Sequence, residues 1–220
     1  MIAKWINLFS VIDFISVGML VSVVAMNSLG RIDTCIKAYA ANSWLLAATM
    51  GVSAVYLSEP HLYAAALYTI AGKCLIIPYL LRKAARELKE TREPAPYVSG
   101  PVSTMASFAL VGIVYSALSH GISVTGLARN SLEVAVSIIL VSLFTMMVRK
   151  KAITQVLGLL FMENGLFLAG FSLTRGMPTL VELGVLFDLL MGVLILGVFL
   201  TQIKRTFVSV DLDRLTNLKG

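Results

Sequence analysis

Three ionisable residues stand deep inside apolar stretches of the chain, where the sequence predicts membrane-spanning helices. Lys73 lies about twelve residues into its stretch, Glu163 about eleven and Asp188 about ten. At a rise of about 1.5 Å per residue, each comes to roughly 15–18 Å from one membrane surface, near the middle of the bilayer. If their helices adjoin, groups of both signs at one depth form a hydrogen-bonded row. Burial disfavours the charged forms and pairing favours them, so such a row is able to bind and release protons when a neighbouring charge moves.

A static role for the same residues stays open at this point. A buried lysine–carboxylate pair can fix helix packing without moving a proton. An ionisable side chain at the centre of a membrane helix costs about 2.5–3.5 kcal/mol on insertion scales, so either role has to offset that cost.

Other acidic residues lie nearer the ends of their stretches. Glu182 is about one turn inside the last stretch and is a candidate outer relay for protons. Asp13 has an intermediate depth in the first stretch and is a candidate for a supporting polar contact. Glu133 begins its stretch and is expected to be solvated at the membrane surface, because long side chains extend toward water.

Local sequence around the central residues supports the same prediction. Pro78 leaves the carbonyl of Cys74 without its helical partner and is expected to kink the helix beside Lys73. Asn164 supplies a polar amide next to the central glutamate, and Gly165 supplies a surface for close helix approach.

The composition indicates that the apolar stretches around these charges lie in a membrane. The 220 residues are 58% hydrophobic and 14% charged, whereas soluble chains are about 25% charged. At about 20 apolar residues per span, the chain has room for about seven helices and none for a soluble catalytic or nucleotide-binding domain. The predicted fold is all-α, a polytopic membrane protein. Its seven predicted spans are Trp5–Ser28, Thr34–Leu57, His61–Leu81, Val102–Ser119, Leu132–Val148, Ala152–Leu173 and Pro178–Gln202.

A basic segment, Arg82–Pro101, divides the predicted spans. A front part of three helices (1–81) precedes this linker, two further helices (102–148) follow it, and residues 149–220 hold the last helices and a tail. The net charge of +6 indicates anchoring in a membrane rather than binding to nucleic acid, because the basic residues fall between apolar spans. The linker is expected to contact anionic lipid, and the tail from Phe207 is expected to dock a partner.

Lysine and arginine set the expected orientation, since cytoplasmic loops carry an excess of them. One side of the predicted membrane holds only Lys4, Arg129 and Arg175. The N-terminus is therefore expected outside and the C-terminus in the cytoplasm. The other side holds most of the 18 basic residues: Arg31, Lys37, Arg82, Lys83, Arg86, Lys89, Arg92, Arg149, Lys150, Lys151, Lys204, Arg205, Arg214 and Lys219.

No pattern in the sequence indicates a metal or a cofactor bound by this chain. Cys35 and Cys74 lie on different spans and are expected to be buried thiols. His61 and His120 stand near span ends without a second ligand at metal-binding spacing. Glycine-rich phosphate loops and nucleophile motifs are absent from the sequence.

The last part of the chain resembles a known family. The segment QVLGLLFMENGLFLAG (Gln155–Gly170), the following TLVELGVLFDLLMGVLI, and the tail VDLDRLTNLKG closely resemble the hydrogenase-4 component E family. The stretch GKCLIIPYLLRKAAREL in the front half also looks like that family. Its members are small membrane subunits of energy-converting nickel–iron hydrogenases and formate hydrogenlyases.

Over its last three spans that family is similar to the K subunit of respiratory complex I and to the C subunit of multisubunit sodium/proton antiporters. The K subunit carries two intramembrane glutamates on a lateral proton path, and the matching positions here are Glu163 and Asp188. The chain departs from the complex I pattern in two ways. Leu160 stands where the first glutamate is expected, with Glu163 one turn later on the same face, and an aspartate replaces the second.

The resemblance implies a non-catalytic subunit of a multisubunit oxidoreductase in the cell's inner (plasma) membrane. It implies that partner subunits carry the nickel–iron centre and the iron–sulfur clusters, while this chain holds no cofactor. The expected partners are membrane and cytoplasmic subunits of that complex, including antiporter-like ones, and lipid. Lys73 would tune the two carboxylates of a proton or sodium path.

Two other functions stay open. The chain could be purely structural, bridging an antiporter-like subunit and the cluster-bearing arm. It could also be a stand-alone carrier of a small ion, although no inverted repeat is visible.

Overall fold

The computed structural model describes the backbone of residues 2–58, 60–87, 96–121 and 129–174, with Gly184 and Gly192. Side chains are described for 10–58, 60–86, 96–118 and 130–173. The regular structure in these ranges is helical. Its elements are α1 (Ile2–Ser28), α2 (Ile32–Leu57), α3 (Pro60–Thr69), a π-helical segment (Ile70–Ile76), α4 (Ile77–Glu87), α5 (Gly100–Gly121), α6 (Arg129–Val148) and α7 (Ala152–Thr174).

Within the described residues, six helical stretches are long and apolar enough to cross a membrane. Five are single α-helices, and the sixth, Pro60–Arg86, is α3, the π segment and α4 joined end to end. The six spans predicted between Trp5 and Leu173 are thus confirmed as helices. The seventh predicted span, Pro178–Gln202, and the tail lie outside the described residues. By length and composition, the chain is an all-helical, multi-pass membrane protein.

The centre of the bundle is formed by α1, α2, α6 and α7. In lipid, apolar side chains gain little by leaving their surroundings, so small residues and polar contacts decide which helices meet. Two glycines seven residues apart place α7 directly on α6. A Cβ atom added at Gly165 would lie 2.8 Å from Ile138 Cγ2, and one at Gly158 would lie 2.6 Å from Met146 Cγ. The predicted close approach at Gly165 is therefore confirmed.

Helix α5 lies at the edge of the bundle, on α1 and α6. Only 17% of its membrane-spanning window is buried inside the structure. Two polar contacts attach it to α1: Asn27 Nδ2 donates to Ser107 Oγ over 2.8 Å, and the hydroxyls of Ser28 and Thr104 lie 2.7 Å apart. Most of the surface of this window therefore faces away from the other described helices.

The basic stretch after the third span begins inside a helix. Arg82, Lys83 and Arg86 lie on α4, which continues to Glu87. Ala84 is buried while Lys83 and Arg86 are exposed, so this end of α4 has a packed face and a charged face. A helix already formed extends at little cost, which is why a change of composition at Arg82 does not end it.

Arg149 lies at the end of the bundle where α1 ends. Its Nη2 donates to the backbone carbonyl oxygens of Met26 (2.5 Å) and Leu29 (3.0 Å), and its side chain is buried. The last carbonyls of a helix have no partner within it and carry partial negative charge, so a guanidinium is well placed there. The sequence placed this arginine in a loop beside the membrane and gave no sign that it joins α6 to α1.

Candidate functional site

An ion pair lies at the centre of the membrane-spanning region. Lys73 Nζ donates to Glu163 Oε1 over 2.9 Å, joining the π segment to α7. The lysine is 2% exposed and the glutamate 5%. Both lie near the midpoints of their spans, Pro60–Arg86 and Ala152–Leu173. Two of the three central residues expected to adjoin are therefore in direct contact.

Asn164 provides the lysine with a second acceptor. Lys73 Nζ lies 3.1 Å from Asn164 Oδ1 and donates to it. The amide nitrogen of Asn164 in turn donates to Asn42 Oδ1 (2.9 Å) and to Ser43 Oγ (3.1 Å) on α2. Asn164, Asn42 and Ser43 are fully buried, so these bonds form away from water and lipid.

The amide contacts continue to α1. Asn42 Nδ2 donates to Ser22 Oγ (2.8 Å) and to the backbone carbonyl of Met19 (3.0 Å). The Ser22 hydroxyl donates to the same carbonyl over 2.6 Å. This central network, comprising Lys73, Glu163, Asn164, Asn42, Ser43 and Ser22, links four membrane-spanning helical stretches by side-chain hydrogen bonds.

An aromatic pair borders the central network one helical turn away. Tyr39 and Phe161 precede Asn42 and Asn164 by three residues on their helices, and their rings meet edge to face with centroids 5.7 Å apart. Both side chains are fully buried. Since α2 and α7 keep the same register through both pairs, the aromatic layer holds the two helices at the spacing that the amides need.

The backbone around Lys73 is π-helical rather than α-helical. The N–H of Ile77 bonds to the carbonyl of Gly72, five residues earlier. Pro78 has no N–H to offer to Cys74, so the α-helical pattern cannot continue through this turn. Where a kink was predicted beside Lys73, the structure has a π-helical segment, a feature often found at functional sites.

Asp13 contacts a different helix. It accepts hydrogen bonds from Asn130 Nδ2 (3.1 Å) and from the Ser131 hydroxyl, both in the first turn of α6. This is the supporting polar contact expected for Asp13, and it lies toward one end of the bundle. Glu133, in the next turn, differs from expectation: it is 5% exposed, because the start of α6 packs on α1 and α5.

The two remaining predicted site residues, Glu182 and Asp188, lie outside the described residues. Gly184, between them in the sequence, is described. A Cβ atom at Gly184 would lie 2.8 Å from Phe167 Cε2 on α7. The backbone at Gly184 thus lies against the helix that carries Glu163.

Sequence reasoning missed the partners that α1 and α2 provide. Asn42 was the available signal, since an amide in the apolar run AANSWLLA needs a partner inside the membrane. A second missed contact joins three helices near the end closed by Arg149: Asn27 Oδ1 accepts from Thr145 Oγ1 over 2.9 Å while its Nδ2 donates to Ser107. An asparagine at the end of a span gave no reason to expect a buried three-helix contact.

Among the described residues, no three His, Cys, Asp or Glu side chains come together as a metal site. Cys35 on α2 and Cys74 on the π segment are buried thiols that are not joined in a disulfide, as the sequence predicted. Within this part of the chain, the central network offers one carboxylate, one ammonium, and amide and hydroxyl groups that form hydrogen bonds.

We expect Lys73→Met to lower the free energy of unfolding by about 3–5 kcal/mol, because it leaves the Glu163 carboxylate buried without its cation. The double variant Lys73→Met/Glu163→Gln should recover much of that loss, since neither charge remains. Thermal unfolding of the detergent-purified protein measures both effects. Lys83→Met, at an exposed lysine of the same helical stretch, serves as the control. Additive losses in the double variant would show that the pair has no energetic coupling.

Comparison with known proteins identifies distant relatives over most of the chain. It is 27% identical over 215 residues to uncharacterized protein Rv0085 of Mycobacterium tuberculosis, covering 97% of this chain and 98% of that protein. It is 26% identical over 185 residues to hydrogenase-4 component E of Escherichia coli K12, covering 83% of this chain and 85% of that protein, and equally to the Shigella flexneri protein. No family model matches the chain, and no solved structure does. These matches confirm the resemblance first drawn from residues 155–220: the chain is a distant relative of hydrogenase-4 component E.

Proposed function

We propose that the chain is a membrane subunit of an energy-converting hydrogenase of the hydrogenase-4 type, in the cell's inner membrane. The relationship to hydrogenase-4 component E over 185 residues supports this assignment. In this proposal the partner subunits carry the nickel–iron centre and the iron–sulfur clusters. This chain holds no cofactor, and its partners include antiporter-like subunits.

The proposed task of the chain is to take part in the ion translocation that is coupled to electron transfer. The observation that carries this proposal is the ion pair of Lys73 and Glu163 at mid-span, with Asn164 as a neutral third partner. Glu163 is proposed to bind and release a proton, and Lys73 to stabilise its anionic form. Asp188 is proposed as the next carboxylate on the path and Glu182 as the relay toward the outer surface.

The geometry suits proton exchange because Lys73 keeps a hydrogen bond after Glu163 takes up a proton. When Glu163 is ionised, it accepts from the ammonium of Lys73. When Glu163 is protonated, the Coulombic attraction is lost, but Lys73 still donates to the oxygen of Asn164. A buried lysine left without an acceptor would cost several kcal/mol, so this second acceptor lowers the cost of the protonated state.

The proposal includes a seventh span at Pro178–Gln202 and a cytoplasmic C-terminus. Residues of two basic segments form contacts at one end of the bundle. Arg82 Nε lies 3.4 Å from Asp33 Oδ1, and Lys150 Nζ lies 4.6 Å from the centre of the Tyr97 ring. Arg149 is at the same end. A face with this excess of positive charge fits the cytoplasmic side of a membrane.

A cysteine placed after Gly220 tests the orientation. In intact cells it should resist a membrane-impermeant maleimide and react only after the inner membrane is opened. Both native cysteines are buried, so they should contribute little labelling. Labelling of the added cysteine from the outside would reject the proposed orientation.

A structural function is the second candidate, and the central network favours it too. Hydrogen bonds from Asn164 and Asn42 hold α7, α2 and α1 together without any need for proton movement. In that case the chain would bridge an antiporter-like subunit to the cluster-bearing arm. Assembly, rather than coupling, would then depend on Glu163.

Purification of the tagged chain in mild detergent tests membership of the complex. We expect hydrogenase, ferredoxin-like and antiporter-like subunits to co-purify in fixed ratio, as identified by mass spectrometry. A monodisperse chain that emerges alone would contradict the proposal. Ion movement by that chain in liposomes would then favour the stand-alone carrier.

Glu163→Gln separates the two candidate functions. If Glu163 exchanges protons, the variant complex should assemble at normal yield and lose most of its proton movement, about tenfold or more, because an amide cannot ionise. Pumping into vesicles measures the loss, and the yield of intact complex measures assembly. Glu133→Gln is the matched control, since Glu133 is equally buried but lies outside the central network. Normal pumping by an assembled Glu163→Gln complex would rule out the proton path, and a selective loss of assembly would favour the structural function.

A further inference from the structure

We infer that Asn42 is a positioning residue for the pair of Lys73 and Glu163, and that it acts by setting which end of the Asn164 amide faces the lysine. This inference rests on the proposed function of the pair. Within the central network, the hydrogen bonds of Asn42 are not to Lys73 or Glu163. They join Asn42 to Asn164 on one side and to α1 on the other.

The direction of the amides is set at α1. A backbone carbonyl can only accept a hydrogen bond, and the Met19 carbonyl accepts from Asn42 over 3.0 Å. The second N–H of Asn42 donates to Ser22 Oγ, whose own hydroxyl is already directed at Met19. Asn42 must therefore present its nitrogen to α1 and its oxygen to α7.

The same constraint is passed to the next amide. Asn42 Oδ1 can only accept, so the nitrogen of Asn164 has to face α2, where it donates to Asn42 Oδ1 over 2.9 Å. The oxygen of Asn164 then faces Lys73 at 3.1 Å. If Asn164 turned over, its N–H groups would meet the ammonium of Lys73, donor against donor.

Ser43 contacts the same nitrogen but cannot set the direction. Its hydroxyl accepts from Asn164 Nδ2 over 3.1 Å, yet a hydroxyl is able to donate as well as accept. It would satisfy an Asn164 amide turned either way. Asn42, with the Met19 carbonyl behind it, therefore sets the direction from the α2 side, and Lys73, which can only donate, favours the same direction from the other side.

The consequence concerns the state in which Glu163 carries a proton. The Asn164 oxygen then remains an acceptor for Lys73, and Asn42 keeps that oxygen in place. Loss of Asn42 should change the balance between the protonated and ionised states of the pair while leaving both charged residues present.

The test compares Asn42→Leu with Asn164→Leu in the assembled complex, with the pH profile of proton movement as the readout. We expect both variants to move the midpoint of the profile by about 0.5 pH unit or more and to slow movement about threefold at pH 7, as the loss of one buried hydrogen bond would do. The double variant Asn42→Leu/Asn164→Leu should show no further shift, because Asn42 acts only through Asn164.

Two variants on α2 serve as comparisons. Ser53→Ala removes a buried hydroxyl that donates to its own helix at Thr49, and its pH profile should match that of the unmodified complex. Ser43→Ala leaves the amide direction set and should shift the midpoint less than Asn42→Leu. If Asn42→Leu does not assemble, Asn42→Ser retains a polar group without imposing a direction and should show the same displaced midpoint.

An unchanged pH profile in assembled Asn42→Leu, alongside a Glu163→Gln complex that has lost proton movement, would overturn this inference and leave the proposed function standing. Additive shifts in the double variant would overturn it as well. If Glu163→Gln moves protons normally, the proposed function fails, and thermal unfolding then decides the inference. The change in melting temperature of the double variant Asn42→Leu/Lys73→Met should differ from the sum of the two single changes. In a protein that also carries Asn164→Leu, the two changes should become additive. Absence of coupling would reject the positioning role.

Discussion

The interior of a membrane offers no water to a buried charge, and the arrangement of this bundle depends on how that constraint is met at Lys73. Its ammonium lies at mid-span, where only other parts of the chain can solvate it. Glu163 neutralises the charge, and Asn164 adds a neutral acceptor. The Asn42 amide, which bonds to Asn164, extends the hydrogen bonds to α1. Each partner comes from a helix that has to be adjacent for the lysine to be tolerated. Solvation of one cation thereby links the π segment and α2 to α7, and α1 to α2.

Packing around this polar centre is correspondingly specific. Gly158 and Gly165 allow α6 to approach the face of α7 next to Glu163, while Tyr39 and Phe161 pack between α2 and α7 one turn away. Further hydrogen bonds recur toward both ends of the bundle, from Asp13 at one end and Arg149 at the other. In lipid these contacts replace the hydrophobic driving force that assembles soluble helices.

The two halves of the chain make different contributions to the central network. The carboxylate and its neighbouring amide come from α7. The lysine comes from the π segment in the front half. The structure thus shows the front helices supplying a cation, and the Asn42 amide that bonds to Asn164, to the helix that carries the carboxylate. This arrangement is compatible with both candidate functions, the ion-translocation path and the structural role.

The sequence by itself determined the class of fold and the residues that needed an explanation. Apolar length predicted the spans between Trp5 and Leu173, and the cost of burying charge singled out Lys73 and Glu163 before any helix was placed. Motif resemblance pointed to hydrogenase-4 component E. Helical periodicity does not encode which helices adjoin, however, because spans surrounded by lipid are apolar on most sides.

Tertiary structure alone decided that Lys73 meets Glu163 across 90 residues of sequence, and that Asn42 stands behind Asn164. The structure also places Arg149, which the sequence put in a loop, against backbone carbonyls at the end of α1. It buries Glu133, which the sequence predicted to be solvated. In each case the physical reason is the same. A polar side chain in a membrane bundle goes where the assembled helices offer it a partner, and that location depends on all of the helices together.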